Sequence, residues 1–372
     1  MGSEMCIRDS YRFRAASALF NLATAEGRVQ EPNSLKTMGR AVGMLEQLCE
    51  TSPDVVDYAH RLGAAYRVSA DLHLGAKAEE EALQCFEKSI EVHRRIAKLA
   101  PDKPKHERQL GIALYKLGEH HLDSGRIVDA EKCLTESVAI REKLLRDQPD
   151  WFYARMDLVL AHDIMGKILR KKELPEQAEQ HFRSGADVAW VAIEQELHGA
   201  GPKREYAAIK QSIAQLRVDA GKFGEALEIL KEPIGIFREI RVQRPDKYEY
   251  VYMLRECLAD RARALIGLGR RNDALECVEE MLGVEPLDDW EDHQTAAELY
   301  VLCSNLLATD DSLTDAERQV QVQALYLQAA KQIRIAISKG YADFADDKVF
   351  DAVRDHAAFR ELGLPNKKAE PN

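Results

Sequence analysis

The chain has 372 residues, with 52 Lys and Arg against 63 Asp and Glu, a net charge of −11 and 45% hydrophobic residues. It is too long for one small core, so two or three domains or one extended array are implied. The acidic balance argues against nucleic acid as a partner, and no apolar run reaches the roughly 18–20 residues that cross a bilayer, so no membrane contact is expected of this segment.

Residues 1–10 read MGSEMCIRDS and match, in frame, the translation of a common transposase sequencing adapter. They are set aside as non-native, and the natural chain is expected to begin upstream of Tyr11. Without Glu4, Arg8 and Asp9 the count is 51 cations against 61 acids, or −10. From there helices are predicted in pairs, at about 11–26 and 34–51, 54–73 and 77–99, 103–124 and 127–147, and 150–172 and 175–197. The remaining pairs fall at about 203–220 and 223–243, 247–268 and 271–284, and 290–308 and 315–339. Thr314 and Glu317 suit a capping box for the last of these, and Pro233 should kink its helix. No stretch alternates like a strand.

The pairing follows from residues repeating every 48 positions. Ala82, Ala130, Ala178, Ala226 and Ala274 form one column, and Phe86, Leu134, Phe182, Leu230 and Val278 another, four positions later. Ile90, Val138, Ala186, Ile234 and Leu282 form a third, eight positions after the alanines. A small residue where two helices approach, followed at helical spacing by larger apolar ones, reads as one buried stripe. Pro53-Asp54, Pro101-Asp102, Pro149-Asp150 and Pro245-Asp246 keep the same period, with Leu197 replacing proline once. They mark hairpin boundaries, the proline suiting a first helical turn and the aspartate its dipole. Gly125, Gly221 and Gly269 precede their alanines by five residues and suit left-handed helix stops.

These residues resemble tetratricopeptide repeats, in which a small residue of the first helix meets an alanine of the second. Gly118 pairs in this way with Ala130 and Leu134, Gly166 with Ala178 and Phe182, Ala214 with Ala226 and Leu230, and Ala262 with Ala274 and Val278. Only the hairpin ending at Pro286 closes with the usual spacing; the others carry longer helices than the common 34-residue unit. The resemblance implies an all-α fold, an α-α superhelix of about seven hairpins over 11–340. It also implies a non-catalytic scaffold that binds a protein or peptide along a concave groove. Phe344, Phe350, Val353, Phe359 and Leu362 would form a helical cap at 341–365, and 366–372 reads as a disordered tail.

A narrower resemblance lies in Ser137 to Leu144 followed by Gln148-Pro149-Asp150, and in Ala336 to Tyr341 followed by Asp346-Asp347 and Val353 to Leu362. These segments are similar to the long repeats appended to bacterial serine/threonine protein kinases of planctomycete type. No glycine-rich nucleotide loop, HRD or DFG motif occurs, so the chain itself is not expected to be an enzyme. The alternative reading is a regulatory or substrate-recruiting C-terminal arm of such a kinase.

Other constellations point to ordinary structure, and no metal or cofactor is expected. His120 and His121 are neighbours on a helix and point about 100° apart, which does not suit one metal. Asp310, Asp311 and Asp315 lack the glycine and terminal glutamate of a calcium loop. Glu79, Glu80 and Glu81 suit a helix start. Trp151, Trp190 and Trp290 are read as packing residues. Cys49, Cys85, Cys133, Cys257, Cys277 and Cys303 form no CxxC pair and suit apolar packing in a reducing, cytoplasmic setting.

By the family's register, the residues three before and one after the Gly118 column line the groove. They are Arg67 and Asp71, Tyr115 and Glu119, Asp163 and Lys167, Gln211 and Gln215, and Ala259 and Arg263, with Arg170 and Lys171 adding positive charge a turn later. Mixed charges, amides and one aromatic suit an extended peptide better than a small apolar ligand.

Overall fold

The structure, a computed structural model, describes residues 2–360 apart from 196–198, 246, 286, 288, 309 and 352. Leu197, Asp246, Pro286, Leu362 and the tail 366–372 lie outside the described residues. The chain forms two compact units, one up to Val188 and one from Ala189. The first holds α1 (Gly2–Arg28), α2 (Ser34–Thr51), α3 (Val56–Gly75), α4 (Glu79–Leu99), α5 (Pro104–Asp123), α6 (Ile127–Asp147), α7 (Phe152–Lys171) and most of α8 (Pro175–Glu194). The second holds α9 (Ala200–Asp219), α10 (Phe223–Gln243), α11 (Tyr248–Gly267), α12 (Arg271–Leu282), α13 (Trp290–Leu307), α14 (Asp315–Ser338) and α15 (Ala357–Arg360). No strand occurs among the described residues.

Consecutive helices pack as hairpins, and the alanine column and the column four positions after it lie in the core as expected. All five column alanines are fully buried, and so are Leu134, Phe182, Leu230 and Val278. The close approach is literal at Gly118, where a Cβ would come within 1.7 Å of Leu134 Cδ2, and at Gly166, where it would come within 2.4 Å of Phe182 Cε1. Within hairpins the turn is a left-handed residue followed by a six-to-one backbone bond. Gly125, Gly221 and Gly269 have φ of +73°, +69° and +72°. The next residues, Arg126, Lys222 and Arg270, donate to the carbonyls of His121, Arg217 and Leu265 at 2.8, 2.8 and 2.9 Å. Lys77 and Glu173 take the same conformation at the equivalent positions without glycine's freedom.

Two details differ from the sequence reading. The prolines of the Pro–Asp pairs are not in the first helical turn but in a tight turn before it. The backbone N–H of Val55, Lys103, Trp151 and Lys247 donates to the carbonyl three residues earlier, which places proline second in each turn, where its fixed φ fits. The first helix runs back from Tyr11 to Gly2, because residues 2–10 contain no proline to stop it. Pro233 sits inside α10, which continues through it to Gln243.

Thr314 and Glu317 do form the reciprocal capping box at the start of α14. Beyond Gly340, Phe344, Phe350, Val353 and Phe359 are buried in the core that also holds residues of α13 and α14, and Trp290 stacks on Tyr341 at 5.0 Å.

Candidate functional site

The nominated groove residues lie on the first helices of their hairpins, and each unit arranges them differently. In the first unit they make a ladder of short-range pairs. Arg67 donates to Asp71 at 3.4 Å across one turn of α3. On α5, Lys116 meets Glu119 at 2.7 Å and the Tyr115 hydroxyl donates to Glu119 at 3.1 Å. On α7, Lys167 donates to Asp163 at 2.7 Å, Arg170 is half-buried and Lys171 is exposed. Burial raises the Asp71 carboxyl above its ordinary range, with Arg67 and Lys116 pulling the other way. Tyr115 is only 8% exposed and its ring lies under the Arg141 guanidinium at 4.8 Å, so little of it can meet a partner.

In the second unit the nominated residues converge on one buried acid. Gln211 and Gln215 of α9 donate to Asp260 of α11 at 2.8 and 2.9 Å. Arg263 reaches the same carboxylate and Glu298 of α13, each at 3.2 Å. Asp260 is 4% exposed and Gln211 5%. Glu256, one turn before Asp260 on α11, is pushed up to about 7, first by burial and then by the neighbouring Asp260 charge. Ala259 is buried in the core. Gln211 and Gln215 therefore belong to an interhelical polar network.

Sequence reasoning missed Lys116, Arg141, Asp260, Glu256 and Glu298. A usable signal existed for one class of contact. Arg108 pairs with Asp157, and Gln211 with Asp260, each across 49 residues, one period plus one. Complementary polar residues at that offset mark neighbouring first helices.

The remaining constellations are structural. His120 and His121 both bond Arg126, at 2.9 Å each, and Arg126 meets Glu79 at the start of α4 at 2.7 Å, which ties two hairpin turns together. Asp310 accepts from Ser312 ahead of the capping box. Trp290 packs and Trp151 lies beside Arg108, but Trp190 departs from the packing expectation. It is 43% exposed, its Nε1 donates to Glu194 at 2.8 Å and its ring meets Tyr206 at 5.3 Å. Cys257, Cys277 and Cys303 are buried while Cys49, Cys85 and Cys133 are half-buried, and all six are free thiols. Among the described residues no three His, Cys, Asp or Glu side chains are grouped to hold a metal ion, and no helix is long and apolar enough to cross a membrane.

No protein-family model and no curated protein matches the sequence. Solved structures do match in fold. The chain is similar to a signal transduction ATPase with numerous domains carrying a tetratricopeptide repeat sensor, from Pyrococcus horikoshii. The identity is 14% and the TM-score 0.59, over 87% of this chain and 43% of that one. It thus spans less than half the length of that protein. It is also similar to the apo form of RapI, at 10% identity and a TM-score of 0.50, over 87% of this chain and 99% of that one. The fold is an all-α array of helical hairpins of the tetratricopeptide-like kind.

Proposed function

We propose that the protein is a non-catalytic scaffold that binds an extended peptide or protein segment across the first-helix face of its first unit. The supporting observation is the ladder of alternating charge from Arg67 to Lys167. Its pairs are short-range and partly exposed: Arg67–Asp71, Lys116–Glu119 and Asp163–Lys167 span three or four residues of one helix. Such pairs each contribute only about 0.2–1 kcal/mol, so a partner's own charges can replace them at little cost. The polar groups of the second unit are instead held against buried Asp260, and exchanging them would leave that carboxylate unpaired.

The test begins with peptides selected from a random library on the full chain. Replacing Arg67, Glu119, Lys167 and Lys171 together by alanine should weaken the selected peptides at least about tenfold. Exposed charges at a few tenths of a kcal/mol each sum to about 1.4 kcal/mol over the four side chains, which is that factor. Unchanged affinity would remove the first-helix face from consideration. The reading as the arm of a serine/threonine kinase is supported by the resemblance of residues 137–150 and 336–362 alone. Genomic sequence upstream of Tyr11 tests it: a kinase domain in frame is the expected result, and an in-frame stop ends the idea.

A further inference from the structure

We propose that the first unit carries a second docking site on its opposite, second-helix side. It is a cleft between α4 and α6 that takes an extended segment of a partner protein, with an aliphatic side chain adjoined by acidic residues. This site is independent of the first-helix face.

The cleft encloses about 650 Å³, within the range of pockets that take side chains or ligands. Its floor is Ile90, Leu114 and Leu117, the last two supplied by α5, which lies between the two rims. Two related clefts show that it is built by the repeat and is not a chance surface hollow. A cleft of about 630 Å³ lies between α2 and α4 and shares Glu91 and Arg95 with the first. Another, of about 320 Å³, lies between α6 and α8. Its lining residues Val138, Met165, Leu169 and His181 stand 48 positions after Ile90, Leu117, His121 and Cys133 of the central cleft. Successive second helices thus stand apart and leave the intervening first helix as an apolar floor.

The rim of the central cleft fixes the chemistry of its occupant. On the α4 rim Glu87 and Glu91 lie mid-helix and Arg94, Arg95 and Lys98 follow towards its end, while α6 contributes Asp129, Lys132 and Glu136. Arg94 is occupied by Glu136 at 2.7 Å. Arg95 and Lys98 are exposed and make no ion pair or hydrogen bond among the described residues. From Glu87 to Lys98 is 11 residues (98 − 87), about 16 Å of helix, which matches about five residues of extended chain. An aliphatic side chain over Leu114 and Leu117 would then leave the adjoining acidic residues beside Arg95 and Lys98. The charges alternate along both rims and leave no continuous basic surface for a phosphate backbone or an anionic lipid, so a short polypeptide segment with its acids at Arg95 and Lys98 fits better.

Short labelled peptides with a central leucine beside acidic residues, and matched peptides with lysines instead, test this on the full chain. Fluorescence anisotropy should show the acidic peptides binding about tenfold more tightly. Arg95→Glu with Lys98→Glu should abolish that preference, while the four alanines on the first-helix face should leave it unchanged. Bound acidic peptide should also slow alkylation of Cys133, which lines the cleft, when modification is read by mass spectrometry. Equal binding of both peptide sets, a preference that survives the charge reversal, or binding that leaves Cys133 unprotected would each overturn the proposal.

Discussion

At two crevices of the first unit, in the hairpins α3–α4 and α5–α6, a glycine on the first helix faces a large side chain of the second. Gly63 makes room for His93, Arg141 lies against Gly111 at ordinary contact distance, and Ser89 and Ser137 donate to the two glycine carbonyls at 2.8 Å each. In the second unit the residue three periods after Gly111 is Arg255, so the cation comes from the first helix. The reason is the length of α12. It has 12 residues against 21 in α6, and so lacks the turns from which Arg141 reaches inward. The repeat therefore preserves a filled crevice but not the residue that fills it.

The two buried arginines are also satisfied differently. Arg141, 1% exposed, donates to the backbone carbonyls of Gly111 and Asp157 and lies over Tyr115; burial pulls it down to about 10. Arg255, fully buried, meets the Asp292 carboxylate at 2.9 Å, the Tyr248 hydroxyl at 2.9 Å and the Val284 carbonyl at 3.2 Å. Among the described residues the first arginine forms no ion pair, although the Asp157 charge lies near enough to favour it, and the second belongs to an ion pair that has lost its water.

The comparison breaks most easily at Arg255. Arg255→Ala strands Asp292, itself 2% exposed, and should destabilise the second unit by about 3–5 kcal/mol. Replacing both partners by apolar residues of similar volume should cost much less, as read by hydrogen exchange along the chain. Equal destabilisation by the single and the double replacement would mean that the pair is not coupled.

Arg141→Met should cost less than Arg255→Ala, about 1–3 kcal/mol and in the first unit. It leaves two carbonyls short of a donor but no buried charge unpaired. A cost as large as that of Arg255→Ala would contradict the distinction.

The pH dependence should separate the units by sign. Burial depresses His93 to about 3 and His162 to about 4, well below the free value near 6.5, so their contribution is full above pH 6.5. It is lost as pH falls towards those values, by up to about 1.4 kcal/mol per pH unit for each histidine, because only the unfolded chain takes up the protons. Glu256 runs the other way: raised to about 7, it favours the folded second unit at low pH, and that contribution is lost as pH rises from about 4.5 through 7. Unit-resolved exchange at pH 5 and 7.5, corrected for intrinsic rate, should show the first unit weaker and the second stronger at pH 5. A common direction in both units would contradict these assignments.

Most of the fold was legible because the alanine, aliphatic and glycine columns each do one local job. Ala130 or Gly125 can be read without knowing its neighbours. The crevice was not legible, because its columns must be read in pairs. Gly63 with His93 and Gly111 with Arg141 each set a small residue beside a large one 30 positions later, and Ala207 and Phe237 keep that spacing with both buried. Neither column repeats its residue type through the chain. The site was legible in register but not in depth. Counting from Gly118 places Tyr115 and Gln211 on first helices, yet Arg141 covers one and Asp260 holds the other. The clefts between second helices were not visible either, since they depend on how far those helices stand apart.

On the proposed function, the first unit presents its first-helix polar residues to a partner while the second holds its own internally. Hydrogen exchange of the full chain, with and without a peptide selected on it, tests this most directly. Added protection is expected in α3, α5 and α7, with α9, α11 and α13 unchanged. Protection in α9, α11 and α13 with none in α3, α5 and α7 would contradict it.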